Sequence, residues 1–309
     1  MLLSLSLGLL LSPFLVLRFR ESLSTLTYES KVASGIIKVF YTRQFFRTQP
    51  VIFQMVKIFP SIMGSCLYLF FIISIFLALA LFLLKRVKIK KELVIILSAV
   101  LPWFILNSFF FTKWIRFISP VLPLLLLFPV WGLKVIGKIA ALKSFLSALV
   151  LVCLAPGIIF MKLYFFPDIR VQASDWLKEN VSDNSLIVSE AGNVVNIPMG
   201  EHNFEVVNFD FYSLDEPGKR AELEALMEDG DYFLSGSRRI FANVLRLPNR
   251  LPVSFWFYRQ LFASDSDWEL IKTFSVFSPA QEFFLGNDLS SEETWTVFDH
   301  PTIRVFKRK

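Results

Sequence analysis

Lys113 and Arg116 stand either side of Trp114 and Ile115 on a short basic turn between two apolar runs. An arginine there offers a bidentate fork and a lysine a point charge, so the two could clamp a phosphate at headgroup depth. The same residues, flanked by Trp114 and Phe117, would equally serve as aromatic-belt and snorkelling anchors. Acids are scarce where such a clamp would work. Before Asp168 the only carboxylates are Glu21, Glu29 and Glu92. A membrane enzyme that activates an acceptor hydroxyl, or holds a divalent cation, needs a carboxylate at the reacting surface. Glu92 follows a basic run expected in the cytoplasm, which leaves Glu21 and Glu29 as outer-face candidates. No glycine-rich phosphate loop or nucleophile elbow occurs. With two histidines, His202 and His300, and both cysteines, Cys66 and Cys153, in apolar runs, no zinc-ligand set forms. No cofactor or metal site is expected; a divalent cation stays open.

The elements that must position these residues fall into two unlike halves. Hydrophobic residues make up 54% of the chain, with 35 Phe among them, too apolar for an ordinary soluble protein. Residues 1–166 carry 18 Lys+Arg against 3 Asp+Glu, a balance of +15, and residues 167–309 carry 14 against 23, a balance of −9. The net +6 is therefore a sum of opposites, and the basic half faces membrane rather than nucleic acid.

A bilayer core of about 30 Å takes roughly 20 helical residues. Five stretches meet or approach that length: Met1–Leu17, Ser61–Leu84, Leu93–Thr112, Phe117–Leu133 and Ser144–Phe166. Pro102, Pro120, Pro123, Pro129 and Pro156 interrupt them, which implies kinked helices packed in a bundle. The run from Lys85 to Lys91 and the loop bearing Lys134, Lys138 and Lys143 mark the cytoplasmic side. Alternation then puts residues 18–60, the Lys113–Arg116 turn and everything after Phe166 outside the cytoplasm, in a multi-pass protein of the cell membrane. The outer loop 18–60 is itself basic. Val32, Ile36, Val39 and Phe40 are expected on one helical face, and Val51, Ile52, Met55, Val56 and Phe59 on another, as amphipathic helices against lipid headgroups or a lipid-linked phosphate, or simply packed over the bundle.

After Pro167 the pattern changes to short apolar strands between polar helices. A helix is expected over Asp168–Asn180 with Val171, Trp176 and Leu177 inward. Strands follow at Leu186–Ser189, Val206–Phe211 and Tyr232–Ser235. Helices are expected from Pro217 to Met227 and over Ser254–Phe262. Trp268–Val276 and Trp295–Phe306 read as closing strands, antiparallel across Asp299-His300-Pro301. The fold class is thus an α-helical membrane bundle of about five spans, residues 1–166, followed by a small extracytoplasmic α/β domain with a mixed sheet, residues 167–309.

Several runs in order resemble the bacterial membrane glycosyltransferases of the dolichyl-phosphate-mannose protein mannosyltransferase type. They are Tyr41-Thr42-Arg43-Gln44-Phe45-Phe46-Arg47-Thr48-Gln49-Pro50, then Met63-Gly64, then Lys113-Trp114-Ile115-Arg116-Phe117 leading into Pro120 and Pro123. In the polar half Ala173-Ser174-Asp175-Trp176-Leu177, Asp231-Tyr232, Ser235-Gly236-Ser237-Arg238 and Phe298-Asp299-His300-Pro301 continue the likeness. The resemblance implies a GT-C fold that moves a sugar from a polyprenyl-phosphate carrier to an acceptor at the outer face of the membrane. It implies that Lys113 and Arg116 lie near the lipid phosphate and that Arg43 and Arg47 sit on a loop covering it. The family's catalytic acid belongs to a first outer loop that has no counterpart here. The chain is therefore expected to be the C-terminal portion of such a transferase, partnered by an N-terminal half encoded upstream, with no catalytic residue of its own. A different class stays open: a non-catalytic membrane-anchored protein whose outer domain binds a glycan, peptide or protein partner. With no inverted repeat and no acid inside a span, a transporter finds little support.

Overall fold

The computed structural model describes residues 12–13, 17–84, 91–136, 143–191 and 196–309. The expected span Met1–Leu17 and the basic run after Leu84 lie almost wholly outside these residues. Among the described residues two helices are long and apolar enough to cross a membrane, Ser65–Leu83 (α3) and Ile115–Gly132 (α5). Lys91–Phe109 (α4) is apolar over a shorter stretch, Val94–Phe109. Lys143–Phe160 (α6) runs through a short helix Lys162–Phe165 and bends by 48° into Ile169–Asn180 (α7). Two or three spans are thus present by length and composition. We assign α7 to the polar domain, because its Ile169, Ala173 and Leu177 are packed in that domain's core.

The helices of the apolar half are shaped by their breakers. Ser61–Leu84 is not one helix: Phe59–Met63 (α2) ends at Gly64, whose backbone at φ 73° restarts the chain as α3. A Cβ at Gly64 would lie 2.5 Å from the Pro156 side chain and 3.0 Å from the Phe284 carbonyl. Only glycine fits this point, where α2, α6 and the polar domain meet. The prolines divide α5 into Ile115–Ile118, a 3₁₀ turn Ser119–Val121, Leu122–Leu125 and a final helix from Leu127. Gly132 lets α5 close onto α3, where an added Cβ would collide with Ser74.

The loop 18–60 corrects the expected amphipathic faces. Phe19–Ser34 (α1) ends at Gly35 in the left-handed region, so Val32 is fully buried while Ile36, past the helix end, is 75% exposed. Phe40 belongs to a separate 3₁₀ turn, Phe40–Phe45. Downstream, a π-helical turn Gln54–Ile58 runs into α2 and rotates the pattern. Gln54, Ile58 and Phe59 point inward, whereas Val51, Ile52 and Val56 stay exposed.

The polar domain is a five-stranded mixed sheet of order β2-β1-β3-β5-β4. Leu186–Ala191 (β1) pairs in parallel with Glu205–Asp210 (β2) and with Tyr232–Ser235 (β3); Ile303–Arg308 (β5) runs antiparallel to β3 and to Trp268–Phe274 (β4). Side chains alternate across the strands. Ile187, Leu234, Ile303 and Val305 face α7. Val188, Phe233 and Phe306 face Lys219–Asp229 (α8), Phe241–Val244 (α9) and Pro252–Leu261 (α10).

Three expectations change here. Val171 points outward at 39% exposure, and Ile169, Ala173 and Ser174 are the inward residues of α7 beside Leu177. Pro217 does not open α8, which starts after Gly218 at φ 85°. The closing strands are not a hairpin across Asp299-His300-Pro301. Between them the chain makes a long excursion over residues 275–302, with Pro279–Leu285 (α11), a 3₁₀ turn Asp288–Ser290 and Glu293–Thr296 (α12), so that Trp295 is helical.

Candidate functional site: a cationic cavity at the junction of the two halves

The sheet's strand order decides what meets the apolar half. From β1 the chain leaves towards β2, and from β3 towards the opposite edge, so the carboxyl ends of β1 and β3 form the switch point where open α/β sheets bind ligands. The segment Ser237-Arg238-Arg239 leaves β3 at this end. Opposite it, the excursion 275–302 brings up Asp288, Ser291, Glu292 and Glu293. The apolar half contributes Gln44 and Thr48 from the first loop, Lys57 from the π-helical turn and Ser61 from α2. A π-helical turn inserts an extra residue into the helix, as is frequent at functional sites.

Around this junction lies a cavity of about 230 Å3 lined by Lys57, Arg238 and Arg246, with Thr48, Asn243 and Ser291 between them. The cations differ in how they are held. Arg238 is 5% exposed; its guanidinium donates to the Ser291 carbonyl at 2.7 Å and lies 3.2 Å from Asp288. Arg246 donates to the carbonyls of Gln44 at 3.0 Å and Phe46 at 3.3 Å and meets no carboxylate among the described residues. The Lys57 ammonium has no hydrogen-bond or ion-pair partner among the described residues. Burial, and then the charges of Arg238 and Arg246, push its pKa below the ordinary lysine value. Three cations and the Arg239-paired Glu293 face this one small space, an arrangement able to receive an anion.

The carboxylates nearby are hydrogen-bonded or paired with arginines, and both oxygens of Asp288, which pairs with Arg238, lack a hydrogen bond among the described residues. Glu293, 4% exposed, pairs with Arg239 and accepts from Asn243 Nδ2 at 3.1 Å; burial raises its pKa while Arg239 opposes the rise. Glu292 is fully buried and accepts from Gln44 Nε2 at 2.8 Å, from the Ile115 amide at 3.3 Å and from the Thr294 amide and hydroxyl. Among the described residues no group of three or more His, Cys, Asp or Glu could hold a metal ion.

Of the residues expected at a phosphate, Lys113 comes nearest to this cavity. It is 4% exposed, and its ammonium donates at 3.2 Å to Thr48, which lines the cavity, and to the Phe111 carbonyl; burial lowers its pKa. Arg116 is exposed and stacks over Trp114 at 4.3 Å, an arrangement that suits an anchor. Arg43 stacks over Phe40 at 4.6 Å near Asp215 and Arg250, with one buried guanidinium nitrogen, Nη1, lacking a partner. Arg47 is exposed, with φ 57°. Glu21 pairs with Arg18 on α1 rather than approaching the cavity. Of the cavity's cations, Arg238 falls in the run Ser235-Gly236-Ser237-Arg238 that carries the resemblance, without an expected phosphate role, and Lys57 and Arg246 were not expected at a site. The available signal was the Arg238-Arg239 pair just past the carboxyl end of a short buried strand, where the sheet rule puts a ligand. Comparison with known protein families, curated proteins and solved structures finds nothing that matches this chain.

Proposed function

We propose that the junction cavity grips the phosphate of a polyprenyl-phosphate-linked sugar, and that the chain is the C-terminal portion of a glycosyltransferase working at the outer face of the cell membrane. In this reading the apolar half contributes five spans and the α/β domain is extracytoplasmic. The observation that carries it is the unpaired Lys57 ammonium facing Arg238 and Arg246 across a space of about 230 Å3. Desolvated cations gain most from a charge that develops on a leaving phosphate. Lys113, through Thr48, backs the same wall. The order of the runs that resemble the mannosyltransferase type supports the same assignment. With Glu292 hydrogen-bonded and Glu293 and Asp288 each paired with an arginine, the general base comes from a partner polypeptide carrying the family's first outer loop.

The test uses the full chain in lipid nanodiscs and a short-chain polyprenyl phosphate as titrant. The wild type binds it in preference to the matching polyprenol. Lys57→Met and Arg246→Met each weaken binding roughly ten- to a hundredfold, the scale of one charge-assisted hydrogen bond. Equal affinity for the phosphate and the alcohol, or variants that bind as the wild type does, overturn the reading.

A further inference from the structure

A second and larger concavity lies on the α/β domain, lined by that domain's residues alone and sharing none with the junction cavity. It is a groove of about 830 Å3 between α8 and α10, within the roughly 300–1,000 Å3 common for small-molecule sites. Helices of this length make a trough about 15 Å long. Its floor is apolar, from Leu214, Leu223 and Leu261, all nearly fully buried. Its rim is different in kind. Trp256 stands 56% exposed on α10, with Arg259 over its ring at 5.2 Å, and Trp268 closes the far end. Gln260 lies one turn beyond Trp256, and Glu228, Asp265 and Asp267 gather near Trp268.

The bonding state of the rim selects the ligand chemistry. The carboxylates of Glu228, Asp265 and Asp267 have no hydrogen-bond or ion-pair partner among the described residues. Arg220 is held by Glu224 at 2.7 Å, and Arg308 donates to the Glu228 carbonyl. Three free carboxylates repel an anion. The rim's net negative charge would attract a lysine- or arginine-rich chain, but the apolar floor and the exposed indole offer a ring face to cover, which such a chain does not use. A neutral ligand whose neighbouring hydroxyls both donate and accept satisfies carboxylate, amide and guanidinium together. The apolar face of a sugar ring covers an indole whose polar edge stays wet.

We infer that the groove between α8 and α10 binds a neutral oligosaccharide, with Trp256 as its stacking platform and Glu228, Asp265 and Asp267 as its hydroxyl acceptors. The site is separate from the junction cavity, so either can fail without the other.

The full chain in lipid nanodiscs is titrated with maltotriose, mannotriose and chitotriose by saturation-transfer NMR and calorimetry. At least one trisaccharide binds saturably. Trp256→Ala weakens it at least tenfold, Trp256→Phe keeps part of the affinity, and Asp267→Asn weakens it without moving the melting temperature. Lys57→Met leaves sugar binding intact, and Trp256→Ala leaves polyprenyl phosphate binding intact. No saturable binding of any of the three, binding indifferent to Trp256, or tighter binding of trilysine than of every trisaccharide each overturns the inference.

Discussion

Gln44 and Glu292, 248 positions apart in the chain, hold one another across the junction. The Gln44 amide donates to Glu292 Oε1 at 2.8 Å, and its carbonyl oxygen accepts from the Glu293 amide at 3.1 Å. One side chain of the apolar half thus satisfies both a buried carboxylate and the backbone of α12. Ser61 to Ser291 at 3.0 Å and Ser65 to the Phe283 carbonyl at 2.7 Å repeat the connection along α2 and α3. This polar seam runs beside aromatic contacts, Phe40 on Tyr212 and Phe160 on Trp295, and together they join the two halves around the cavity.

Gln44→Ala should therefore loosen the seam out of proportion to its size. It leaves the buried Glu293 N–H without its partner, a cost of about 1–3 kcal/mol, and leaves Glu292 Oε1 with the Thr294 amide alone. The expected outcome is a lower melting temperature in detergent and faster proteolysis within residues 286–300. Gln44→Glu should be worse, since it opposes a second carboxylate to Glu292. An unchanged melting temperature and cleavage pattern in both variants would show that the seam contributes no stability.

The Arg239–Glu293 pair is enclosed on both sides, with each side chain 4% exposed. Removing one partner of such a pair costs about 3–5 kcal/mol, because the other is left charged without compensation. Arg239→Met is expected to destabilise the chain on that scale, and Glu293→Gln by less, since the amide can still meet Asn243. The double variant Arg239→Met with Glu293→Met should recover much of the loss. Double-mutant cycles on denaturant unfolding check this; strictly additive losses would rule out the coupling.

How much of this was legible depends on the kind of contact involved. Tyr232–Ser235 was readable as a strand because four apolar or small residues sit between Gly230 and a polar turn, and the mixed sheet followed from helix and strand alternation. The excursion 275–302 was not. Its α11 and α12 are short, and Trp295-Thr296-Val297-Phe298 has the β-prone composition that local preference reads as strand. Tertiary bonding of Glu292 and Glu293 to Gln44 overrides it. The π-helical turn at Gln54–Ile58 was equally hidden, since no sequence period announces one extra residue in a turn, and it is this turn that aims Lys57. Lys113 was found because a basic residue beside Trp114 at a span end is conspicuous. Lys57, Arg238 and Arg246 converge from three separate elements, and local periodicity carries no information about such meetings.

Glu190 gives the polar domain a pH-dependent stability. It lies at the carboxyl end of β1, accepting from Tyr258 Oη at 2.5 Å and from Ser235 Oγ at 3.0 Å, with the Gly236 amide and Arg304 also facing it. Although part of the residue stays exposed, its carboxylate is enclosed. Burial pushes its pKa from the ordinary 4.5 up to about 7 against these favourable partners. Between those two values the folded chain retains a proton that the unfolded chain has released, so this group makes stability fall as pH rises from about 4.5 to about 7. Glu190→Gln preserves the bonds to Tyr258 and Ser235 without the charge. It should match the wild type near pH 4, exceed it at pH 8 and flatten the slope between. Denaturant midpoints across that range decide it; parallel profiles for the two proteins would remove Glu190 as the source.

Lys57 predicts a second pH dependence, in binding rather than stability. Its neighbours across the cavity are Arg238 and Arg246, with Gln44, Asn243 and the Arg239-paired Glu293 completing the wall. Burial and the two guanidiniums disfavour its protonated form, while a bound phosphate favours it. Phosphate binding therefore draws a proton onto Lys57 once pH exceeds the lowered pKa, and affinity falls with further rise in pH. At the acid end affinity climbs as a phosphate monoester takes its second charge near pH 6. The expected profile for polyprenyl phosphate is a plateau bounded on both sides, with an alkaline limb that starts below the ordinary lysine value. Lys57→Arg places a group in the cavity that does not titrate in this range, so it should keep the plateau and lose the alkaline limb. Lys57→Met should lose affinity throughout and lose the limb as well. If Lys57→Arg still shows the wild-type fall at alkaline pH, the titrating group is not Lys57, and the cavity does not hold its phosphate through that ammonium.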